Sequence, residues 1–268
     1  MKLLPHHRLS VLFNHPKKRF IPFILCGDPT SKYTLQAMHS LVDSGADAIE
    51  IGIPFTDPIA DGAVLTRAHT RSCAQGVTIT QVFETVHRFR RTNQKTPLVL
   101  MGYYNPCFQF GFSAFCHKAA KHGVDGLILV DCPNDGKERV AIEKLCAANQ
   151  IAFIPLVSLN SSISTIKTRC LGGSGYCYLV AVDGVTGSSA INIKNINSTF
   201  KRIKKHASLP IAIGFGINSL DRAKQLYRFA DTIIIGTHLA SLQESSKGNM
   251  ALSLNKIKTF CSQINQIF

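Results

Sequence analysis

The sequence predicts an α/β protein of the (β/α)8 class, a TIM barrel built as a single domain over residues 1–268. Three observations lead there. Short apolar runs alternate with helical patterns from one end of the chain to the other, and eight such units can be read. The runs are apolar at nearly every position, as parallel strands covered on both faces must be. The 268 residues match the roughly 250 that one closed barrel needs.

The strands are read at 20–26, 48–51, 97–102, 126–130, 152–156, 176–180, 210–213 and 232–235. Helices are read at about 31–44, 78–91, 113–122, 137–148, 162–170, 193–205, 220–229 and 251–268. In the second helix Val82, Phe83, Val86 and Phe89 recur at helical spacing, and Thr78 stands where it can cap the first turn. Ser162 has the same place before the fifth helix. No Pro, Ser or Gly linker divides the chain, and the unit length is too irregular for a solenoid. The rival is a doubly wound open sheet. It needs a glycine-rich phosphate turn after the first strand, and Cys26–Ser31 (CGDPTS) lacks one.

Composition narrows the function. Apolar residues make up 45% of the chain, enough for a large core. No window reaches the roughly 18 uncharged apolar residues of a membrane span. The start, with Pro5 and several charges, does not read as a secretory signal. The nine cysteines are odd in number and show no C-x-x-C spacing, so a reducing cytoplasm is the expected compartment. The net charge of +14 is scattered over separate segments without interleaved aromatics, so no nucleic acid and no membrane partner is expected. Attraction of phosphorylated small molecules is the milder consequence. The histidines show no ligand spacing beside carboxylates, and no metal is expected.

The acids are more telling. Of 16 Asp and Glu residues, Asp28, Glu50, Asp57, Asp61, Asp131 and Asp183 fall at or just after strand ends. In a barrel those ends form the working face. The segment Ala48–Gly62 is the most informative, since a carboxylate inside an apolar strand is costly unless something uses it. Glu50 in the barrel mouth should have a raised pKa and both give and take a proton. Asp61, beyond a turn-rich loop, is the candidate second acid, with a helix cap as its other reading. Asp57 between Thr56 and Pro58 reads equally well as an Asx turn. Tyr103, Tyr104 and Asn105 follow the third strand, where a phenol can cover a planar substrate. Glycines gather after the last three strands: Gly184 and Gly187, Gly214 and Gly216, and Gly236 before Thr237. Bare backbone amides there, and a short helix starting near Thr237, suit a phosphate.

These residues carry a resemblance. The run EIGIPFTDPIADG at 50–62 is very similar to the signature of the tryptophan synthase alpha subunit family. FIPFILCGDP at 20–29, YYNP at 103–106, GVTG at 184–187 and GFGI at 214–217 follow in the family's order across nearly the whole chain. The resemblance implies a TIM barrel that cleaves indole-3-glycerol phosphate to indole and glyceraldehyde 3-phosphate. It implies that Glu50 protonates the indole C3 and that Asp61 binds the indole N–H. Phe23 and Tyr103 match residues lining the indole pocket, and Tyr178 one near the glycerol. Gly184, Gly214, Gly216, Gly236 and Thr237 match the phosphate cradle, and Thr186 of the GVTG loop joins the substrate-binding set.

The resemblance also implies a partner. Indole passes to a beta subunit that bears pyridoxal phosphate, within an alpha2beta2 tetramer, while this chain needs no cofactor of its own. Pro54, Asp57, Pro58, Asn105, Phe108 and Pro133 match the surface that meets it. The chain departs from the family's usual residues at Cys26, Ala63, Thr66, Val182, Asp183 and Thr237, none of which is a proton-transfer group. An alternative within the resemblance is a weakly active or inactive alpha-like subunit that mainly activates the beta subunit.

Overall fold

The computed structural model describes residues 3–4, 7–133, 136–181, 193–214, 217 and 219–267. Its elements follow one another as α1 (Arg8–Phe13), β1 (Arg19–Leu25), α2 (Ser31–Asp43), β2 (Ile49–Gly52), α3 (Ala63–Ala74), α4 (Ile79–Arg90), β3 (Leu98–Gly102), α5 (Tyr104–Phe110), α6 (Phe112–His122) and β4 (Gly126–Leu129). The second half adds α7 (Lys137–Ala148), β5 (Ala152–Phe153), β6 (Leu156–Ser158), α8 (Ile163–Gly172), β7 (Cys177–Val180), α9 (Ile193–His206), β8 (Ile211–Gly214), α10 (Leu220–Tyr227), β9 (Thr232–Ile235), α11 (Thr237–Glu244) and α12 (Met250–Asn265).

All strand pairs are parallel, in the order β5-β4-β3-β2-β1-β9-β8-β7-β6. The fifth predicted strand is thus two short pieces, β5 and β6, bent apart at Pro155, which has no N–H for the ladder. The bend closes the circle. The Ile154 N–H donates to the Leu127 carbonyl on one side, and the Pro155 carbonyl accepts from the Tyr178 N–H on the other, both at 2.9 Å. This is the (β/α)8 barrel expected from the sequence.

Each strand puts alternate residues inside and outside. Ile21, Phe23, Leu25, Val99, Ile128, Ile154, Tyr176, Tyr178, Ala212 and Ile234 fill the barrel. Phe20, Ile49, Ile51, Leu98, Leu100, Leu127, Leu179, Ile213 and Ile233 face the helices. Both sets are apolar, so the alternation is invisible in the hydropathy of the sequence.

Four of the helices were not read as such or only hinted at. The short α1 plugs the N-terminal mouth with Leu9 fully buried, and Phe13 lies 5.7 Å from the Tyr176 ring. Helix α3 has no side-chain cap, and its buried stripe is half polar, with His69 and Ser72 beside Leu65 and Ala68, so local signals for it are weak. Among the described residues no helix is long and apolar enough to cross a membrane.

One buried ion cluster ties the N-terminal mouth together. Asp125, 1% exposed, accepts from Arg90 Nη2 at 2.6 Å, Arg8 Nη1 at 2.8 Å and the Leu98 N–H at 2.8 Å. Burial pulls the Arg90 guanidinium down to about 10 despite the Asp125 charge beside it. Removing the carboxylate strands a buried cation. Asp125→Ala is expected to cost about 3 kcal/mol or more in urea unfolding, whereas Lys17→Ala at the exposed end of a surface pair should change stability by less than about 0.5 kcal/mol.

Candidate active site

Glu50 sits on β2 between Ile49 and Ile51, and its side chain takes the inward turn of the pleat. Its neighbours across the sheet are Phe23 on β1 and Val99 on β3. It is 0% exposed. The Tyr176 hydroxyl donates to Oε1 at 2.5 Å, and among the described residues Oε2 has no hydrogen-bond partner and no Lys or Arg pairs with the carboxyl. Burial therefore pushes the carboxyl up to about 8, against the smaller opposing pull of the Tyr176 hydrogen bond. Burial and the neighbouring Glu50 charge in turn raise the Tyr176 phenol, so it stays a donor.

The loop after β2 starts in register with the sheet, where the Ile53 N–H donates to the Met101 carbonyl at 2.8 Å. It then folds back through turns in which Ile59 N–H donates to Asp57 O and Asp61 N–H to Pro58 O. Gly62, not Asp61, is the N-cap of α3. The Asp61 carboxylate is thus free of capping and turns to the barrel. Its Oδ2 accepts from the Tyr103 hydroxyl at 2.7 Å and lies 3.3 Å from His69 Nε2. Tyr103, 2% exposed, also accepts from the Ala60 N–H at 3.1 Å. Burial, then the charge of Asp61, raise its phenol far above the ordinary range, so it holds Asp61 as a hydrogen-bond donor.

Beside Asp61 opens a cavity lined by Phe23, Asp61, Leu65, Tyr178, Ile217 and Gly236, with Met101, Ile234 and Thr237 completing it. Its lining is mostly apolar with a few polar handles, the kind of surface that takes a small organic ligand. Glu50 does not line it. The carboxyl lies in the layer of side chains below, beside Tyr178, whose hydroxyl burial and the charges of Glu50 and Asp61 raise.

The glycines have a reason beyond turns. A Cβ on Gly236 would fall 2.8 Å from Phe23 Cδ1, and one on Gly52 would fall 2.7 Å from Phe23 Cζ. Strands β2 and β9 flank β1, so the Phe23 ring lies between two bare backbones. A Cβ on Gly214 would collide with the Tyr178 hydroxyl. Helix α11 starts at Thr237 with Gly236 as its N-cap and no side-chain capping bond. Its first N–H groups face the rim of the cavity, where an anion is favoured.

The structure therefore brings together Glu50, Asp61, Phe23, Tyr103, Tyr178, Gly214, Gly236 and Thr237. Gly184, Thr186 and Gly216 lie outside the described residues. Of the residues matched to a partner surface, Asp57, Asn105 and Phe108 are exposed, Pro58 and Pro133 half-buried, and Pro54 buried within the chain. Two residues at the site went unread. Tyr176 lies two positions before Tyr178 and so on the same inward face, a signal that period-2 reading offers. His69 carried no signal: it stands eight positions from Asp61 in the sequence, and only the fold of α3 returns it to that carboxylate.

Comparison with known proteins follows this geometry. Residues 9–268 match the family model described as tryptophan synthase alpha chain. The tryptophan synthase alpha chain of Cupriavidus metallidurans is 42% identical over 257 residues, 96% of this chain and 96% of its own length. That of Laribacter hongkongensis is 38% identical, covering 89% and 90%. The crystal structure of tryptophan synthase subunit alpha from Legionella pneumophila superposes with a TM-score of 0.88 at 33% identity, over 97% of this chain and 96% of that one. A mutant alpha subunit from Pyrococcus furiosus gives 0.84 at 29% identity, over 94% and 100%. The match runs along the whole barrel and through the strand and loop that carry the two acids, and the chain belongs to the tryptophan synthase alpha chain family.

Proposed function

We propose that this chain cleaves indole-3-glycerol phosphate by a retro-aldol reaction, giving indole and glyceraldehyde 3-phosphate as one step of tryptophan biosynthesis. One observation carries the reading of the site: a fully buried carboxyl, one oxygen unpartnered among the described residues, held in its acid form at neutral pH in the layer of side chains beneath an aromatic-lined cavity. An acid of this kind is loaded to protonate carbon.

The indole ring enters between Phe23 and Tyr178, with its N–H on the Asp61 carboxylate. Glu50 swings up from Tyr176 and gives its proton to ring carbon C3. The ring then carries positive charge toward nitrogen, which the Asp61 anion stabilises. The carbinol hydroxyl next to C3 loses its proton to the Glu50 carboxylate and becomes the aldehyde carbonyl. The carbon–carbon bond breaks, its electron pair restores the aromatic ring, and Glu50 ends as the acid again. The protonated ring is the electron sink, so this chemistry calls for no cofactor in the chain. The phosphate rests on the amides at Gly214, Gly236 and Thr237 and the α11 N-terminus, and the resemblance adds Gly184, Thr186 and Gly216 to this proposed cradle. Anchoring the tail sets the reacting carbons over the acid.

Membership in the family implies a beta-subunit partner. The proposed surface is Asp57, Pro58, Asn105, Phe108 and Pro133, backed by the buried Pro54. Phe108 is 55% exposed and the nearby Ile59 73%, so this rim has apolar area to bury. The proposed assembly is an alpha2beta2 tetramer whose beta subunits bear the pyridoxal phosphate.

The assay is indole release from indole-3-glycerol phosphate with purified beta subunit present. Glu50→Gln should lower kcat by at least about 100-fold while far-ultraviolet circular dichroism stays unchanged; a variant that keeps most of the rate removes the acid assignment. Asp61→Asn should lower kcat by roughly 10²-fold with a smaller change in KM, since its charge acts mainly in the transition state.

Burying Glu50 also has a cost that depends on pH. The folded carboxyl holds its proton up to about 8, while the unfolded one releases it near 4.5. The native state binds the extra proton, so stability falls as pH rises through that window. Glu50→Gln lacks this loss. Urea unfolding should show the variant and wild type close at pH 4 and the variant more stable at pH 9, by on the order of several kcal/mol.

A further inference from the structure

His69 is buried, 4% exposed, on the inner side of α3. Its Nδ1 accepts the Phe55 backbone N–H at 3.1 Å. A nitrogen that accepts carries no proton, so the neutral ring must carry its proton on Nε2. Nε2 faces Asp61 Oδ2 at 3.3 Å, and Tyr103 donates to that same oxygen at 2.7 Å. Among the described residues nothing hydrogen-bonds Oδ1. The imidazole thus joins Phe55, near the start of the loop after β2, to Asp61 at its end. The Tyr103 ring packs against both the Phe55 ring, at 5.3 Å, and the His69 ring, at 6.2 Å edge-on.

From this geometry we infer that His69 is a positioning residue for Asp61: the Phe55 N–H selects its tautomer, and its Nε2–H holds Oδ2 so that Oδ1 faces the substrate. The inference rests on the reaction proposed above. The Tyr103 hydroxyl donates to Oδ2 and the His69 imidazole sits beside that same oxygen, so the other oxygen keeps its lone pairs for an incoming N–H. The Phe55 bond transmits the placement. A backbone N–H cannot rotate away as a side chain does, so the imidazole has one orientation in which both of its nitrogens are satisfied. The loop is fastened at its two ends by a side chain from the element that follows it, and its middle, Asp57–Ile59, is left to face outward. His69 itself does not touch the substrate; Asp61 does.

Two substitutions separate the two nitrogens. Gln places an amide N–H where Nε2 stands, and Asn places an acceptor where Nδ1 stands. In the indole-release assay with beta subunit, His69→Leu and His69→Asn should lower kcat about tenfold or more with KM within about threefold. His69→Gln should recover most of that loss. In the Asp61→Asn background, His69→Leu should add little, because the two residues act as one unit. Imidazole nitrogen NMR of the wild-type chain, labelled at histidine, supplies a reading independent of activity. It should show His69 protonated on Nε2 and bare on Nδ1 at neutral pH.

Three results overturn the inference: the opposite tautomer, equal rates for wild type and His69→Leu, or full additivity with Asp61→Asn. Wild-type protein that releases no indole overturns the proposed reaction instead, and the tautomer still reports on the contact. Should His69→Leu fail to fold, the Gln and Asn variants and the NMR spectrum carry the test.

Discussion

One buried carboxyl group governs this barrel. Among the described residues Glu50 meets a single hydrogen-bond donor, the Tyr176 hydroxyl, no counter-charge, and no partner for its second oxygen. A protein interior tolerates such a group by keeping it neutral, and the raised pKa is the outcome. Much of the surrounding architecture serves that burial. Tyr176 is fixed against Phe13 of α1, which closes the opposite mouth of the barrel. The plug helix therefore supports the acid through one aromatic contact, with the cavity toward the other mouth of the barrel.

The second acid is held by the opposite means. Asp61 lies at the rim, its side chain 11% exposed, with the Tyr103 hydroxyl donating to Oδ2 and His69 beside the same oxygen. Two carboxyls in one site thus differ in burial and in hydrogen bonding. In the reaction proposed above, that difference lets one deliver a proton while the other stabilises positive charge. The space between them is shaped by missing side chains. Phe23 lies between Gly52 and Gly236, and Tyr178 lies over Gly214, so the glycines first make room for rings and then offer amides at the rim. Packing and recognition draw on the same residues, and a methyl group at any of the three would displace an aromatic wall.

Most of the fold was legible because strands and helices leave local marks. The apolar runs at 20–26, 97–102 and 232–235 correspond to β1, β3 and β9 with ends shifted by a residue or so. The run at 152–156 was read whole, while the structure breaks it at Pro155, since a ladder position without an N–H shows its effect only when both neighbouring strands are in place. Helix α3 escaped because Gly62 offers no capping side chain and its buried stripe mixes His69 and Ser72 with Leu65 and Ala68, which blurs the apolar periodicity. It forms because Leu65, Ala68, His69 and Ser72 have a surface to bury against.

By itself the sequence determined the barrel, the two acids and the glycines that flank them, since each is written in periodicity or in a contiguous motif. Only the tertiary structure decided what those acids touch. Tyr176 stands 126 positions from Glu50, and His69 reaches Asp61 only because a helix folds back over the loop between them. Local pattern specifies which face a residue takes. It does not specify the group that closure of the sheet sets opposite, and here protonation state and tautomer follow from that group.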